Sequence, residues 1–244
     1  MRLKDFPELT FSFTTKDGGV SSSPYSFLNL AYHVGDKKSD VDKNHQILAD
    51  TLHYSRKKLV HMKQIHSAKV IKVDKRYNFN TPPTCDALIT DEKDLPIMVM
   101  VADCTPILFY DSVKKVIAVA HAGREGAFLN IIKNVIDAFK ENYNSNTNDI
   151  VVNVGTSICQ KCYKVNKNIF NEAVQLGYSS SILKENEDYF LDIRFILKKQ
   201  LSENGIKVEN IELSTECSSC SCKKYFSYRA EGITGRFAGV IMMS

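Results

Sequence analysis

Between Ile97 and Ala120 the sequence carries three apolar runs in close succession, Ile97–Ala102, Ile107–Tyr110 and Val116–Ala120. Strands that face water on one side alternate apolar and polar residues; continuous runs belong to strands covered on both faces. A chain carrying such runs must layer something over each face of its sheet. The longest apolar stretch, Leu95 to Tyr110, is broken by Asp103 and two prolines, which makes it too short and too polar to span a bilayer.

Further strands are expected at Leu9–Thr15, Leu59–Met62, Ala68–Val73, Ala87–Thr90, Ile150–Val154, Ile211–Ser214 and Phe237–Met242. Helices are expected at Asp40–Leu52, Glu125–Tyr143, Lys167–Leu176 and Ile193–Asn204, the last closed by Gly205. In the second, Phe128, Ile131, Ile132, Val135, Ile136, Phe139 and Tyr143 form one apolar stripe. Strands and helices are interleaved without strict alternation, so the expected class is α+β, mixed β-sheets sandwiched by helices. No linker or repeat divides the chain, and residues 1–244 are read as a single domain.

The formal charge of +4 is dispersed, with lysines in pairs beside apolar residues and no basic stripe, which argues against nucleic acid as a partner. Asp5, Pro7 and Glu8 stand where a secretory signal would be apolar. Seven cysteines, an odd number, point to free thiols or metal ligands in a reducing compartment, and the expected localisation is cytoplasmic.

Cys104 follows the first of the central runs, and Asp103 before it suggests that the apolar core has stopped there. Pro106 cannot donate to a strand ladder, so a break or bend is expected at this point. His121 ends the run Val116–Ala120, and His66 closes a short run from Leu59. A buried cysteine or histidine is often only packing. One thiol and two imidazoles at strand ends also match a three-ligand zinc site, with the fourth position open to water or substrate. Gly123 and the helix after it would offer unpaired backbone amides to an anion such as phosphate.

Two C-x-x-C pairs, Cys159/Cys162 and Cys217/Cys220, compete with this reading, and Cys222 adds a fifth thiol. Residues 163–216 separate the pairs, a spacer much longer than the about 15–20 residues of a zinc ribbon, so a four-cysteine site is not expected. Near the C-terminus, Arg229 and Arg236 lie among aromatic and glycine residues and could grip a phosphate or carboxylate. Gly18-Gly19 is read as a hairpin turn and not a phosphate loop.

Taken in order, Gly18-Gly-Val-Ser21, Phe27-Leu-Asn-Leu30, His33-Val-Gly-Asp36, Gln64-Ile-His66, Asp86-Ala-Leu-Ile-Thr90, Ala102-Asp-Cys-Thr-Pro106, His121-Ala-Gly123, Cys162-Tyr163, Ser227-Tyr-Arg229 and Thr234-Gly-Arg236 resemble the bacterial laccase-domain family, also called YfiH-like or polyphenol-oxidoreductase-type. The resemblance covers nearly the whole chain and implies that His66, Cys104 and His121 are a zinc-binding trio with catalytic roles. It further implies phosphorolysis of adenosine, inosine or methylthioadenosine to a free base and a sugar 1-phosphate, together with adenosine deamination. The partners are then a purine nucleoside and phosphate, with no nucleic acid and no membrane. Arg229, Lys16 and Asn29 are assigned to substrate binding. Zn2+ is the expected ion, with Cu2+ as the alternative that the family's older name reflects. The chain departs from the usual His-Ala-Gly-Trp-Arg-Gly in having Arg124-Glu125-Gly126 after Gly123, and Lys16 replaces a common arginine.

Six histidines and no His-x-His pair cannot assemble a multicopper centre, so copper-dependent phenol oxidation would have to use the zinc-type site. Two other classes stay open on the residues alone. One is a cysteine hydrolase or amidase, with Cys104 as nucleophile and His121 or His66 as base, for which peptidoglycan precursors are a candidate substrate. The other is a structural module built on the C-x-x-C pairs. Asp103 is the nearest candidate for a proton donor in the nucleoside reactions.

Overall fold

In the computed structural model, which describes residues 1–244, successive side chains of the central runs enter two different cores. The chain begins β1 (Leu9–Phe13), α1 (Lys38–Thr51), β2 (Val70–Lys72), β3 (Ala87–Thr90), β4 (Ile97–Val101), β5 (Thr105–Asp111) and β6 (Val116–Ala122). It continues through α2 (Arg124–Phe128), α3 (Ile131–Tyr143), β7 (Ile150–Val154), β8 (Lys164–Val165), α4 (Lys167–Gln175), β9 (Ile182–Glu185) and β10 (Asp188–Leu191). It ends with α5 (Ile193–Glu203), β11 (Ile211–Leu213), α6 (Tyr228–Glu231) and β12 (Phe237–Met243).

Six strands form the main sheet in the order β11-β7-β5-β6-β3-β2. Its two outer pairs, β11–β7 and β2–β3, are parallel, and the inner ones antiparallel. Ile107, Phe109, Ala118 and Ala120 pack on one face against Ile132, Val135 and Phe139 of α3 and Leu197 of α5. Leu108, Tyr110, Ile117 and Val119 face the other way, onto Ile97, Val99, Phe237 and Ile241 of a second sheet, β1-β12-β4. The outer face of that sheet, through Met98, Met100 and Val240, meets Leu48 and Ala49 of α1. Helix, sheet, sheet and helix thus make the α+β sandwich that the apolar runs demand. Each large side chain buried this way contributes about 1.5–3 kcal/mol, and α3 alone buries Ile131, Ile132, Val135, Ile136 and Phe139.

Several expectations need correction. The helix read across Glu125–Tyr143 is two helices, α2 and α3, because Asn130 takes a left-handed conformation (φ 56°) and its side chain caps α3 by accepting from the Lys133 amide. The apolar stripe runs through the break and hid it. Leu59, Val60 and Met62 are buried, but the segment makes only an isolated bridge, Val60 to Ile97, and is no strand. Gly18-Gly19 opens a loop and not a hairpin. A Cβ on Gly19 would sit 2.2 Å from the Phe27 carbonyl, so that glycine is needed for close backbone approach. The sheet β8-β10-β9 was not expected, since its strands are short, half-exposed and rich in charge.

Candidate active site

Cys104 lies one residue before β5, and His121 lies near the end of β6. The two strands are antiparallel, pairing Thr105 with Ala122 and Pro106 with His121, so the start of one meets the end of the other. Both groups were expected at carboxyl ends. Cys104 does follow the carboxyl end of β4, in the three-residue turn that leads into β5, and the antiparallel pairing of β5 with β6 is what unites it with His121. The chain breaks before Cys104, where Asp103 adopts φ 87°. Pro106 is accommodated within β5, near its start, and its carbonyl accepts from the Gly155 amide.

A left-handed aspartate costs of the order of 1–3 kcal/mol. Its carboxylate offsets this by accepting from Ser218 Oγ (2.7 Å), Ser227 Oγ (2.7 Å) and the Arg229 amide (2.6 Å). Asp103 is therefore an anchor for the Cys104 turn, with its oxygens already engaged, and not the free acid expected of a proton donor.

Asp86, fully buried at the entry to β3, assembles the other half of the site. Its Oδ2 accepts from the amides of Ile65 (3.2 Å) and Ser67 (2.7 Å) and from Ser67 Oγ (2.7 Å). Its Oδ1 accepts from the His66 amide (3.1 Å) and lies 2.8 Å from His121 Nδ1. An ionised carboxylate can only accept, so Nδ1 carries the proton and Nε2 is the nitrogen left for Cys104 or an ion. Motif reading gave Asp86 no role; an acid placed directly before a fully buried strand was the available signal. The His66 and His121 rings meet edge to face at 4.8 Å. Gly123 completes the cradle, because a Cβ there would lie 2.8 Å from Cys104 Sγ and 3.4 Å from His66 Cδ2.

Burial by itself would raise the Cys104 thiol, but the charge and hydrogen bond of His121, joined by His66, outweigh it and bring the thiol down to about 6. Burial likewise opposes charge on His121, and the Cys104 thiolate and Asp86 overcome it, lifting the imidazole to about 9. Asp86 is held down to about 2, since the bonds from His121 and Ser67 exceed its desolvation. The metal-free pocket thus favours a Cys104 thiolate paired with a protonated His121, and an ion binding there would take the place of the Nε2 proton.

The donor atoms of His66, Cys104 and His121 lie within 4.8 Å of one another. Zinc at about 2.0–2.3 Å from each would span such a trio, and the carboxylate behind His121 is the usual outer partner of a ligating imidazole. The residues fit a single divalent ion. His33 and His61 line the same cavity without forming a second donor group of three.

The trio sits in a cavity of about 790 Å³, lined also by Tyr32, Tyr163, Tyr228, Lys63, Arg229 and Arg236. Of the residues assigned to substrate, Arg229 is there. Asn29 is not: it is fully buried, with bonds to Ala31, Asp36 and the Arg236 amide, and serves to tie loops together. Lys16 is also outside the lining, paired with Glu231 at 2.6 Å and covering the Phe226 ring. The helix start after Gly123 is a poor phosphate cradle, because α2 has five residues and Arg124 there is paired with Glu125 and Glu172. Arg236, whose Nη1 donates to the Thr234 and Gly235 carbonyls, provides the second cavity arginine instead.

Residues 10–244 match the family described as multi-copper polyphenol oxidoreductase laccase. The chain belongs to this family. A relative from Bacillus subtilis (strain 168), named purine nucleoside phosphorylase YlmD, is 33% identical over 97% of this chain and 89% of its own length. A purine nucleoside phosphorylase of Corynebacterium glutamicum is 36% identical over 95% of this chain and 93% of its own. Among solved structures, the hypothetical protein YfiH of Bacillus licheniformis superposes with a TM-score of 0.94 at 30% identity, covering 100% of this chain and 96% of that one. YlmD from Geobacillus stearothermophilus gives 0.91 at 29% identity, over 98% and 93%. The laccase-like family and its fold are thereby established for this chain, as the ordered motifs implied. No helix is long and apolar enough to cross a membrane.

Proposed function

We propose that this chain is a purine nucleoside phosphorylase with a zinc centre formed by His66, Cys104 and His121, acting on adenosine, inosine or methylthioadenosine and also deaminating adenosine. The observation that carries this reading is the donor trio and two arginines sharing one cavity of nucleoside size. In phosphorolysis an oxygen of orthophosphate bonds to the anomeric carbon as the carbon–nitrogen bond breaks. The base leaves with the bonding electrons and takes up a proton.

Arg229 Nη1 donates to the Lys164 carbonyl (3.0 Å), and Arg236 Nη1 donates to the carbonyls of Thr234 (3.1 Å) and Gly235 (2.9 Å). These bonds fix the guanidinium planes and leave further N–H groups for a paired grip on phosphate. Tyr32 and Tyr163 line the cavity as well, the Tyr163 ring lying under the Arg229 guanidinium at 5.2 Å and the Tyr32 ring stacked on His45. Asp86 keeps the proton on His121 Nδ1, and Asp103 holds Cys104 and the Arg229 amide in register. A bound zinc ion supplies the Lewis acidity that both reactions can use.

The test is a product assay with adenosine, with and without phosphate, on wild type and Cys104→Ala. Adenine and ribose 1-phosphate should form only with phosphate and vanish in a variant that remains folded by circular dichroism; inosine reports the deamination. Neither product, or an equally active variant, overturns the assignment. The Cys104–His121 ion pair favours a second reading, a cysteine hydrolase using the same residues. Such an enzyme works without metal, so hydrolytic activity in chelator-treated protein would select it.

A further inference from the structure

We infer that Cys159, Cys162, Cys217 and Cys220 form a second, structural zinc site that fastens one wall of the catalytic cavity. The four Sγ atoms lie within 4.8 Å of one another, and all four thiols are free. The long spacer argued against this site in the sequence, and the sheet topology removes the objection. β7 and β11 are parallel neighbours, pairing Ile211 with Val152 and Leu213 with Val154. Each strand is followed within a few residues by one C-x-x-C loop, so both loops leave the same edge of the sheet. The Ser157–Cys217 bridge and the Ser218 amide donating to the Ser157 carbonyl (3.1 Å) continue the pairing into the loops. Residues 163–216 make a separate excursion through α4, β9, β10 and α5 before returning.

The geometry is that of ligands around one ion. Cys162 and Cys220 Sγ are 3.4 Å apart, well beyond the about 2.05 Å of a disulfide. Sulfurs about 2.3 Å from a tetrahedral zinc are spaced by roughly 3.8 Å, inside the observed spread. An iron–sulfur cluster, whose inorganic sulfides lie between its irons, needs its thiolates further apart. The amides of Cys159 (3.2 Å) and Cys220 (3.4 Å) both donate to Cys217 Sγ, so the backbone is already turned to receive a thiolate. Several thiolates at this separation repel strongly, and a soft divalent cation is the partner that lets them coexist. Four thiol ligands leave no open position, which marks the site as structural.

The loops that the ion would join belong to the cavity. Ile158 and Tyr163 line it, and the Ile158 amide donates to the Asp103 carbonyl (3.0 Å). From the other loop, Ser218 Oγ reaches the Asp103 carboxylate, one residue from Cys104. A zinc ion here holds both loops against the turn that carries the catalytic thiol. This inference does not depend on the nucleoside reading.

Native mass spectrometry of protein purified under reducing conditions, together with elemental analysis, tests it on the unmodified chain. Two zinc ions per wild-type chain are expected, and one each in Cys162→Ser and Cys104→Ser. Cys159, Cys162, Cys217 and Cys220 should resist alkylation until a strong chelator is added, a readout that needs no variant to fold. A single wild-type zinc that disappears in Cys104→Ser, prompt alkylation of the four thiols, disulfides among them, or one equivalent of iron would each overturn the assignment.

Discussion

Asp86→Asn is the substitution that most directly probes how the site is built. The carboxylate is buried and receives three hydrogen bonds on Oδ2 and two on Oδ1. An amide must turn its NH2 towards one of these groups of donors. The less costly choice faces it to His66 and His121, since the Ser67 side then keeps three bonds. The His66 amide loses its acceptor, at about 1–3 kcal/mol for a buried donor. His121 can still pair, but only by accepting at Nδ1, which moves its proton to Nε2, and a protonated nitrogen cannot ligate. Held at about 2 instead of the ordinary 3.8, Asp86 also contributes roughly 2 kcal/mol of stability in its charged form. The sign follows from the depressed value: this stabilisation is complete above about 4 and is lost as pH falls through about 2. The metal-free variant should therefore unfold about 2–4 kcal/mol more easily at neutral pH and show a flatter acid limb in urea titrations. Its zinc affinity, measured against a competing chelator, should fall about 10–100-fold, as for other outer partners of ligating imidazoles. Wild-type zinc affinity with an unchanged urea midpoint would refute the argument that Asp86 sets the imidazole tautomer.

Two further outcomes follow from the same geometry. Gly123→Ala keeps an allowed backbone (φ −80°) but drives a methyl to 2.8 Å from Cys104 Sγ, so zinc content and activity should drop sharply while stability falls only about 1–3 kcal/mol. Elemental analysis beside a thermal melt checks this, and full zinc occupancy would refute the cradle. In metal-free protein, peptide-resolved alkylation of Cys104 should persist down to pH of about 6 and cease as pH falls through it, whereas Cys85, pushed up to about 12 by burial, stays inert as an internal control. A Cys104 midpoint at the ordinary thiol value of 9.0 would remove the ion pair.

The layered fold was legible because burial on both faces leaves a direct mark on composition. Ala87–Thr90 and Ile150–Val154 appear as strands with the expected bounds, and the remaining central strands differ by a few residues at their ends. Cys104 and His121 were legible because they stand at strand ends that apolar runs locate, whereas His66 lies in a loop four residues before β2 and follows a run that forms no strand. Less visible were the groups acting through the backbone. Asp86 contributes by collecting three amides, and amides carry no sequence signature. Asn130 breaks a helix while preserving its apolar spacing. Lys16 and Asn29 lie in motifs that resemble the family's, yet one neutralises Glu231 and the other satisfies buried loop amides. A motif marks where a residue is needed without saying whether substrate or scaffold needs it.

The cysteine pairs show where sequence distance stops being a guide. A ribbon spacing rule assumes that both knuckles belong to one local hairpin, for which a long spacer means a large loss of chain entropy on closure. Here the closure is accomplished by the sheet: once β7 and β11 pair in parallel, the loops beyond them are adjacent whatever lies between. Loop-closure entropy grows only logarithmically with length, so the excursion through α4 and α5 adds little to it. The same reasoning applies to the His66–Cys104–His121 trio, where Cys104 and His121 meet because antiparallel β5 and β6 share an end. Two donor clusters therefore stand on one sheet through two different pairings, parallel for the thiols and antiparallel for the thiol–imidazole set. Asp103 joins them, with its carboxylate bonded to Ser218 beside the cysteine cluster and its own peptide leading directly into Cys104.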